Sequence, residues 1–279
     1  MRIALVTDSH LAPAAKAFNA NWDAVRNYIG RADADLTIHL GDITLDAWSD
    51  PLQHDFARTA SRDWPTPLLF LPGNHDIGDN PPGPHTPSKH PLDLDRLAEY
   101  RASFGADYWA KSADGWWLIG LNAQLFGTGT AAEAEQWKWL GARIGEAAGR
   151  PVALLLHKPL FWRDSAEDVP HIRYVPLVPR QRLLDLLGAI DLRLVLSGHT
   201  HQYVDHVIKG VRHIWLPSSA FLFPDAMQDR IGEKITGLGM LYLTDDAHRF
   251  DLVCPEGVSR HNLLDHPGYA GIAAAHRGR

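Results

Sequence analysis

The decisive stretch is Phe70-Leu71-Pro72-Gly73-Asn74-His75-Asp76, an apolar run that ends in a glycine and three polar side chains. This pattern is typical of a buried strand whose carboxyl end faces a ligand site, as in open α/β folds. Four other apolar runs end in the same way, and the polar residues after them are Asp8-Ser9-His10, Gly41-Asp42, His157 and Gly198-His199-Thr200-His201. Five strand ends are therefore predicted to bring together Asp, Asn and His, which are ligands of divalent metal ions.

The first half of the chain alternates short aliphatic runs with helical patterns, which is typical of βαβ units. After residue 203 the pattern changes to antiparallel hairpins. We therefore predict an α/β fold with two sheets, one begun by parallel βαβ units and one completed by the late hairpins, with helices outside. Strands are predicted at Arg2–Val6, 36–40, 67–71, 108–111, 116–122, Val152–Leu156, 192–196, 203–208, 211–216, 239–244 and 248–253, and helices at 21–31, within 45–61, and at 93–104, 130–148 and 179–187.

Composition narrows the class of protein and its partners. The 279 residues are 45% hydrophobic and 22% charged, and no apolar run is long enough to cross a bilayer, so no membrane partner is expected. The formal charge of −6 offers no basic surface for nucleic acid. The first strand carries candidate ligands, so it is not a removable signal peptide, and we expect a cytoplasmic protein. The single cysteine, Cys254, excludes an intrachain disulfide and is expected to be buried.

Loops and isolated residues around the predicted site leave alternatives open. Residues 78–91 are rich in Pro and Gly and directly follow the Asn-His-Asp turn, so they are expected at the rim of the site, either as a substrate-shaping loop or as a tolerated insertion. Trp162 could stack on a nucleobase or pack its loop onto the sheet. Surface or loop positions are expected for the other histidines, which include His39, His54, His85, His90, His171, His206, His213 and His261.

The candidate ligands outnumber the positions around one ion. In extended backbone, residues two apart project to the same side, so Asp8 with His10, and His199 with His201, can each reach one pocket. Asp42 has two oxygens and can bridge two ions, and the amide oxygen of a ligand such as Asn74 suits a catalytic site that keeps an open position. Any single histidine could instead be a hydrogen-bonded structural residue. With His157 the set exceeds one tetrahedral ion and suffices for two, about 3.5–4 Å apart, an arrangement that activates water and clamps a phosphoryl group.

The order Asp-x-His, Gly-Asp, Gly-Asn-His-Asp, His and Gly-His-x-His is similar to the signature of the calcineurin-like metallophosphoesterase superfamily, and it covers the chain from Asp8 to His201. Its Gly-Asn-His-Asp and Gly-His-Thr-His forms most resemble the class III cyclic nucleotide phosphodiesterase branch, which also contains glycerophosphodiesterases. The resemblance implies a four-layer αββα sandwich of two mixed sheets flanked by helices, with a dimetal site at the strand ends. We expect this domain at residues 1–259 and a frayed tail at residues 260–279.

The resemblance also implies roles for individual residues. One ion would be held by Asp8, His10, Asp42 and His201, and the second by Asp42, Asn74, His157 and His199. The ions would be iron, manganese or zinc, with iron and manganese favoured. His75 would not be a ligand; it would stabilise the pentacoordinate phosphorane or protonate the leaving alkoxide. A hydroxide that bridges the ions would be the nucleophile.

Two departures from the family pattern bear on the mechanism. Asp46 lies one residue later than in the usual Gly-Asp-x-x-Asp spacing, so either Asp46 or Asp76 could orient His75, or each could be a helix N-cap or a surface carboxylate. No paired arginine clamp lies near the Gly-Asp turn, which argues against a phosphoprotein substrate.

The leading hypothesis is hydrolysis of a small phosphodiester, either a cyclic nucleotide or a glycerophosphodiester. The alternatives are a phosphomonoesterase, a nucleotide pyrophosphohydrolase and a non-catalytic metal-binding scaffold. The late hairpins could present an edge for a homo-oligomer.

Overall fold

The computed structural model describes residues 1–83, 85–168 and 171–266. Its strands are β1 Arg2–Val6, β2 Leu36–His39, β3 Leu68–Phe70, β4 Trp109–Ala113, β5 Trp116–Leu121, β6 Val152–Leu156, β7 Leu192–Ser197, β8 Val204–Ile208, β9 Val211–Trp215, β10 Phe221–Leu222, β11 Leu238–Thr244, β12 Ala247–Val253 and β13 His261–Asn262. Its α-helices are α1 Lys16–Ile29, α2 Leu52–Ala60, α3 Asn74–Ile77, α4 Leu94–Phe104, α5 Ala131–Gly145 and α6 Leu177–Leu187, and 3₁₀ turns lie at Ala123–Leu125 and Leu263–Asp265.

Two mixed sheets face each other. The first has the order β12-β11-β1-β2-β3, in which β1, β2 and β3 are parallel and β11 and β12 are antiparallel. The second has the order β4-β5-β6-β7-β9-β8, in which β4 and β8 run antiparallel to their neighbours. The parallel strands place their carboxyl ends at the same edge of each sheet, where polar residues follow them.

Alternation along the strands builds four layers. In β1, Ile3 and Leu5 pack between the sheets with residues of the second sheet such as Leu155. Ala4 and Val6 face the other way and pack under α1, with residues such as Trp22. The outer face of the second sheet is covered by α5 and α6 in the same manner. Because both faces of the central strands are buried, these strands are apolar at almost every position. The predicted αββα sandwich is therefore confirmed.

The late hairpins divide between the sheets, whereas the sequence pattern placed them in the second sheet. Hairpin β8–β9 joins β7 through β9, and hairpin β11–β12 joins β1 through β11. The prediction is wrong on this point because a hairpin pattern shows which neighbours pair, not which sheet edge receives them.

Several helix ends differ from the predicted ends by up to three residues, and the start of α1 differs by more. Helix α1 begins at Lys16, before the predicted residue 21. Helix α2 lies within the predicted range 45–61 and begins at Leu52, directly after Pro51. Proline has no N–H and is tolerated at the start of a helix but not inside it, so Pro51 marks the first turn.

Part of the segment predicted as a frayed tail has regular structure. Strand β13 pairs with β10, and Leu263 is buried beside Phe18 and Phe221. The rest of that predicted tail, residues 267–279, lies outside the described residues. Where the domain ends stays a prediction.

Four side-chain environments contradict the sequence-based expectation. Cys254 is exposed and not buried. The rings of His39, His54 and His213 are buried and not at the surface or in open loops. Burial lowers the pKa of His39 to about 3 and that of His213 to about 4, so these rings are neutral parts of the core.

Within the described residues, none of the helices combines the length and apolarity needed to cross a bilayer.

Candidate metal centre

The polar turns after β1, β2, β3, β6 and β7 meet where the two sheets end together. The amide of Asp8 donates to the carbonyl of Gly41 over 2.9 Å, which joins the turns after β1 and β2. The amide of Gly198 donates to the carbonyl of His157 over 2.9 Å, which joins the turns after β6 and β7. The amide of His199 then donates to Oδ2 of Asp8 over 3.0 Å and links the two sheets. The candidate ligands are thus held by backbone contacts between turns.

Left-handed backbone, not extended backbone, aims these side chains. A positive φ is found at five candidate ligands, which are Asp8, His10, Asp42, His199 and His201. Non-glycine residues rarely adopt this conformation, and each instance costs about 1–3 kcal/mol. The prediction that residues two apart share a pocket assumed extended backbone, and this assumption is wrong. His199 and His201 contact different groups of candidate ligands.

Two glycines allow the turns to approach each other. Gly41 has a φ of +105°, and a Cβ there would lie 2.6 Å from Nδ1 of His157. A Cβ at Gly73 would collide with the carboxylate of Asp42. Both positions therefore require glycine because a ligand occupies the space of the missing side chain.

The first group of ligands is Asp8, His10 and His201, all buried. The Nε2 atoms of His10 and His201 are 3.2 Å apart, and Nε2 of His201 lies 3.2 Å from Oδ1 of Asp8. Oδ2 of Asp42 lies 4.0 Å from Nε2 of His10. These atoms surround a space of the size that one ion fills.

The second group contains Asp42, His157 and His199. Nε2 of His157 lies 3.2 Å from Oδ2 of Asp42 and 3.2 Å from Nδ1 of His199. Asn74 lines the same cavity as Asp42 and His199. Asp42 thus stands between the two groups. The structure brings all seven residues predicted as metal ligands to one place.

Hydrogen bonds to carbonyl groups fix which ring nitrogens face the centre. Nδ1 of His157 donates to Leu40 over 2.9 Å, and Nδ1 of His201 donates to Phe221 over 2.9 Å. Nε2 of His199 donates to the carbonyl of Ile172 over 3.1 Å. A carbonyl only accepts, so the opposite nitrogen of each neutral ring presents a lone pair to the centre.

Unpartnered oxygens complete the evidence that the site fits a cation. Oδ1 of Asp8 and Oδ1 of Asn74 are buried and have no hydrogen-bond donor within the described residues. Buried acceptors are normally satisfied, and an unsatisfied one indicates an ion or another missing partner. Carboxylate, amide and imidazole groups that converge in this way are the kinds of ligand that hold a catalytic metal ion.

Charge states in the cluster favour metal ligation. Burial opposes ionisation of Asp8 and Asp42, but the surrounding histidines outweigh it and hold the pKa of both carboxyls below the usual value. Burial, and then the neighbouring His75, lowers the pKa of His10. Burial also opposes protonation of His157, yet the Asp42 carboxylate raises its pKa to about 9. An ion bound beside His157 would therefore displace a proton.

His75 lies at the cavity wall and is oriented by the main chain. Its Nδ1 donates to the carbonyl of Leu45 over 2.7 Å, and its backbone amide donates to Oδ1 of Asp42 over 2.8 Å. Within the described residues, neither Asp46 nor Asp76 forms a hydrogen bond or ion pair with the ring, so the alternative in which one of them orients His75 is not found. The backbone carbonyl of Leu45 holds Nδ1 of the ring instead.

Asp76 is neither an N-cap residue nor a surface carboxylate. It is buried and accepts hydrogen bonds from the amides of Gly73, Ile43 and Thr44 at 2.9, 3.2 and 2.9 Å, and from the Thr44 hydroxyl at 2.7 Å. It therefore ties the Gly-Asp turn to the Gly-Asn-His-Asp turn. The side chain of Asp46, in contrast, accepts one hydrogen bond within the described residues, a local one from the amide of Ser49 at 3.3 Å.

A cavity of about 700 Å³ opens beside the cluster. Its walls include Pro82 and Thr86 from loop 78–91, so this loop borders the site as expected. Trp162 is not among the lining residues, and the guanidinium of Arg163 lies 4.2 Å from the centroid of the Trp162 ring.

Arg173 lines the cavity, and sequence reasoning missed this residue. Nothing in its sequence context separates it from the chain's other arginines.

The fold and the cluster together define the class of metal-dependent hydrolases built on an αββα sandwich. The family model for calcineurin-like phosphoesterases matches residues 1–203, and the chain belongs to this family. This confirms the superfamily indicated by the order of motifs.

Sequence relatives include both phosphatases and a phosphodiesterase. The chain is 29% identical over 151 residues to the serine/threonine-protein phosphatase CPPED1 of Bos taurus, which covers 52% of this chain and 44% of that protein. The chain spans only 44% to 56% of the cattle and zebrafish CPPED1 proteins. It is 26% identical over 237 residues to the 3',5'-cyclic adenosine monophosphate phosphodiesterase CpdA of Escherichia coli K12, which covers 80% of this chain and 78% of that protein.

A solved structure shares the fold. The crystal structure of a dimetal phosphatase from Danio rerio matches with a TM-score of 0.63 and 13% identity, over 90% of this chain and 95% of that chain. At this identity the likeness concerns the fold alone.

Replacing Asp76 tests its role in holding the two turns. Each buried donor left without an acceptor costs about 1–3 kcal/mol, so Asp76→Ala should lower the free energy of unfolding by about 3 kcal/mol or more. The matched variant Asp46→Ala should lose about 1 kcal/mol or less, because it gives up one local bond. Urea denaturation followed by tryptophan fluorescence measures both. Equal losses in the two variants would contradict this role for Asp76.

Proposed function

We propose that this chain hydrolyses a phosphodiester of a small molecule with two metal ions held at the strand ends. The observation that carries the proposal is the convergence of carboxylate and imidazole groups from five strand ends, because their oxygen and ring nitrogen atoms lie 3.2–4.0 Å from one another. The proposed ligands are Asp8, His10, Asp42 and His201 for one ion and Asp42, Asn74, His157 and His199 for the other. Asp42 is the proposed bridge.

Two ions in this site, with iron or manganese favoured over zinc, would supply Lewis acidity and a water of lowered pKa. The chain's own residues orient the ligands and handle protons. The carbonyls of Leu40, Phe221 and Ile172 fix the ring orientations of three of the four proposed histidine ligands. His75, held through Nδ1, has Nε2 free to contact a phosphoryl oxygen or, when protonated, to donate to the leaving alkoxide.

Two observations favour a diester over a monoester. The alignment with CpdA, named as a cyclic nucleotide phosphodiesterase, covers 80% of this chain. Arg173 is also the only lysine or arginine among the described residues that line the cavity. A phosphodiester carries one negative charge, whereas a phosphomonoester carries about −1.5 to −2 at pH 7, so a single guanidinium suits the diester better.

The phosphatase alternative rests on the similarity to CPPED1. A cytoplasmic location, a homo-oligomer and the absence of nucleic-acid partners remain predictions from the sequence.

Turnover of bis(p-nitrophenyl) phosphate against p-nitrophenyl phosphate, on protein stripped of metal and reloaded with manganese, tests the proposal. We expect faster turnover of the diester than of the monoester, and we expect a chelator to abolish the diester turnover.

His75→Ala should keep its metal content and lose about 10²–10⁴-fold in kcat on the diester, the usual contribution of a general acid or base.

Several results would contradict this proposal. Equal or faster turnover of the monoester would favour the phosphatase alternative. Two bound ions without turnover of any phosphoester in a broad panel would favour the scaffold. Full diester turnover by metal-loaded His75→Ala would remove His75 from the mechanism.

Arg173 is predicted to bind the substrate phosphate. It is half-buried at the cavity wall, and the ion pairs of the described residues do not include it. A hydrogen bond to a charged group is worth about 1.5–3 kcal/mol, so Arg173→Ala should raise KM for the diester about tenfold or more, and Arg173→Lys should recover part of the loss. Arg163→Ala, from the same loop but stacked on Trp162, is the control. Steady-state kinetics that show equal KM values for the Arg173→Ala and Arg163→Ala variants would reject this role.

A further inference from the structure

Lys158, the residue after His157, is fully buried. Its Nζ donates to Oδ1 of Asp79 and, over 2.6 Å, to Oδ1 of Asn80. Asp79 is itself buried. A charge inside a protein is costly unless it is paired and hydrogen-bonded, and a hydrophobic residue of similar size is often as stable in its place. Stability alone therefore gives no reason for an ion pair here.

The ion pair continues through a buried glutamine to a candidate ligand. With the Gln124 amide turned so that its nitrogen faces Asp79, the nitrogen donates to Oδ1 of Asp79 over 2.8 Å. The amide oxygen of Gln124 then accepts from the backbone N–H of Asn74 over 3.2 Å. Gln124 is fully buried. Its backbone N–H donates to Oδ1 of Asn122 over 3.0 Å, so the position of the residue is fixed.

A continuous chain of contacts thus runs from Asn74 through Gln124 and Asp79 to Lys158, which is bonded covalently to His157. Asn74 and His157 come from different sheets, at the ends of β3 and β6. Both belong to the second group of ligands. The first group is supported elsewhere, since His201 is held by the carbonyl of Phe221 and Asp8 by the hydroxyl of Thr7.

We propose that Lys158, Asp79 and Gln124 are positioning residues that set Asn74 and His157 at the right separation for the ion these two ligands share. This inference rests on the metal centre proposed above. Ligand-supporting contacts of this kind typically contribute 10–100-fold to metal affinity. If these three residues only held the start of loop 78–91 in place, their loss would weaken the affinity for both ions equally or for neither.

Manganese titration of the metal-free, full-length protein tests the proposal, with free Mn²⁺ measured by its electron paramagnetic resonance signal. The wild type should bind two ions. Lys158→Met and Gln124→Leu should bind the first ion with wild-type affinity and the second about 10–100-fold more weakly. Lys234→Met is the control, because this buried lysine also pairs with a carboxylate, that of the exposed Asp225 at the cavity wall, and neither residue belongs to the network.

Two variants keep the test decisive if Lys158→Met does not fold. Gln124→Leu leaves the ion pair of Lys158 with Asp79 intact and removes the two hydrogen bonds that connect Asp79 with Asn74. The double variant Lys158→Met/Asp79→Asn removes both charges, so no carboxylate remains buried without its cation. Wild-type affinity for both ions in these folded variants would overturn the proposal, as would equal weakening of both ions. A wild-type protein that binds fewer than two ions would instead overturn the proposed metal centre, and this inference with it.

Discussion

The structure depends on holding together side chains that repel one another. Within the centre, imidazole nitrogens and carboxylate oxygens of different residues lie only 3.2–4.0 Å apart. Without a cation this arrangement is unfavourable, and the raised pKa of His157 shows that a proton is the nearest substitute within the chain. The rest of the fold must therefore supply enough stability to keep the candidate ligands in place in the metal-free protein.

That stability comes from three sources outside the centre. The apolar core between the sheets fixes the ends of the parallel strands, which include β1, β2, β6 and β7. Backbone carbonyls hold the rings of three candidate ligands, His157, His199 and His201, and the Asp76 carboxylate joins two turns to each other. Glycine at positions 41 and 73 removes the collisions that a side chain would cause. Each source acts on the backbone or on the far side of a ligand, so the atoms that face the centre stay free to bind.

Sequence reasoning identified the residues that converge at the strand ends but not the way in which they are held. Apolar runs that end in Asp, Asn and His identified the strand ends, because strand burial and ligand chemistry are both local properties. The left-handed backbone at Asp8 and His201 could not be read from residue type, since it follows from contacts between distant turns. Arg173 and Lys158 were missed for the same reason: their roles depend on what lies across the cavity or across the sheets. The partition of the late hairpins and the exposure of Cys254 likewise depend on which edges and surfaces the whole fold leaves open.

The central claim is that one cluster holds two ions with Asp42 between them. Anomalous X-ray diffraction from crystals soaked in manganese tests it most directly, because it locates the ions without reference to activity. The account predicts two anomalous peaks about 3.5–4 Å apart. One peak should lie among Asp8, His10 and His201, the other among Asn74, His157 and His199, and the Asp42 carboxylate should contact both. A single peak at full manganese loading, or two peaks without Asp42 between them, would contradict the account.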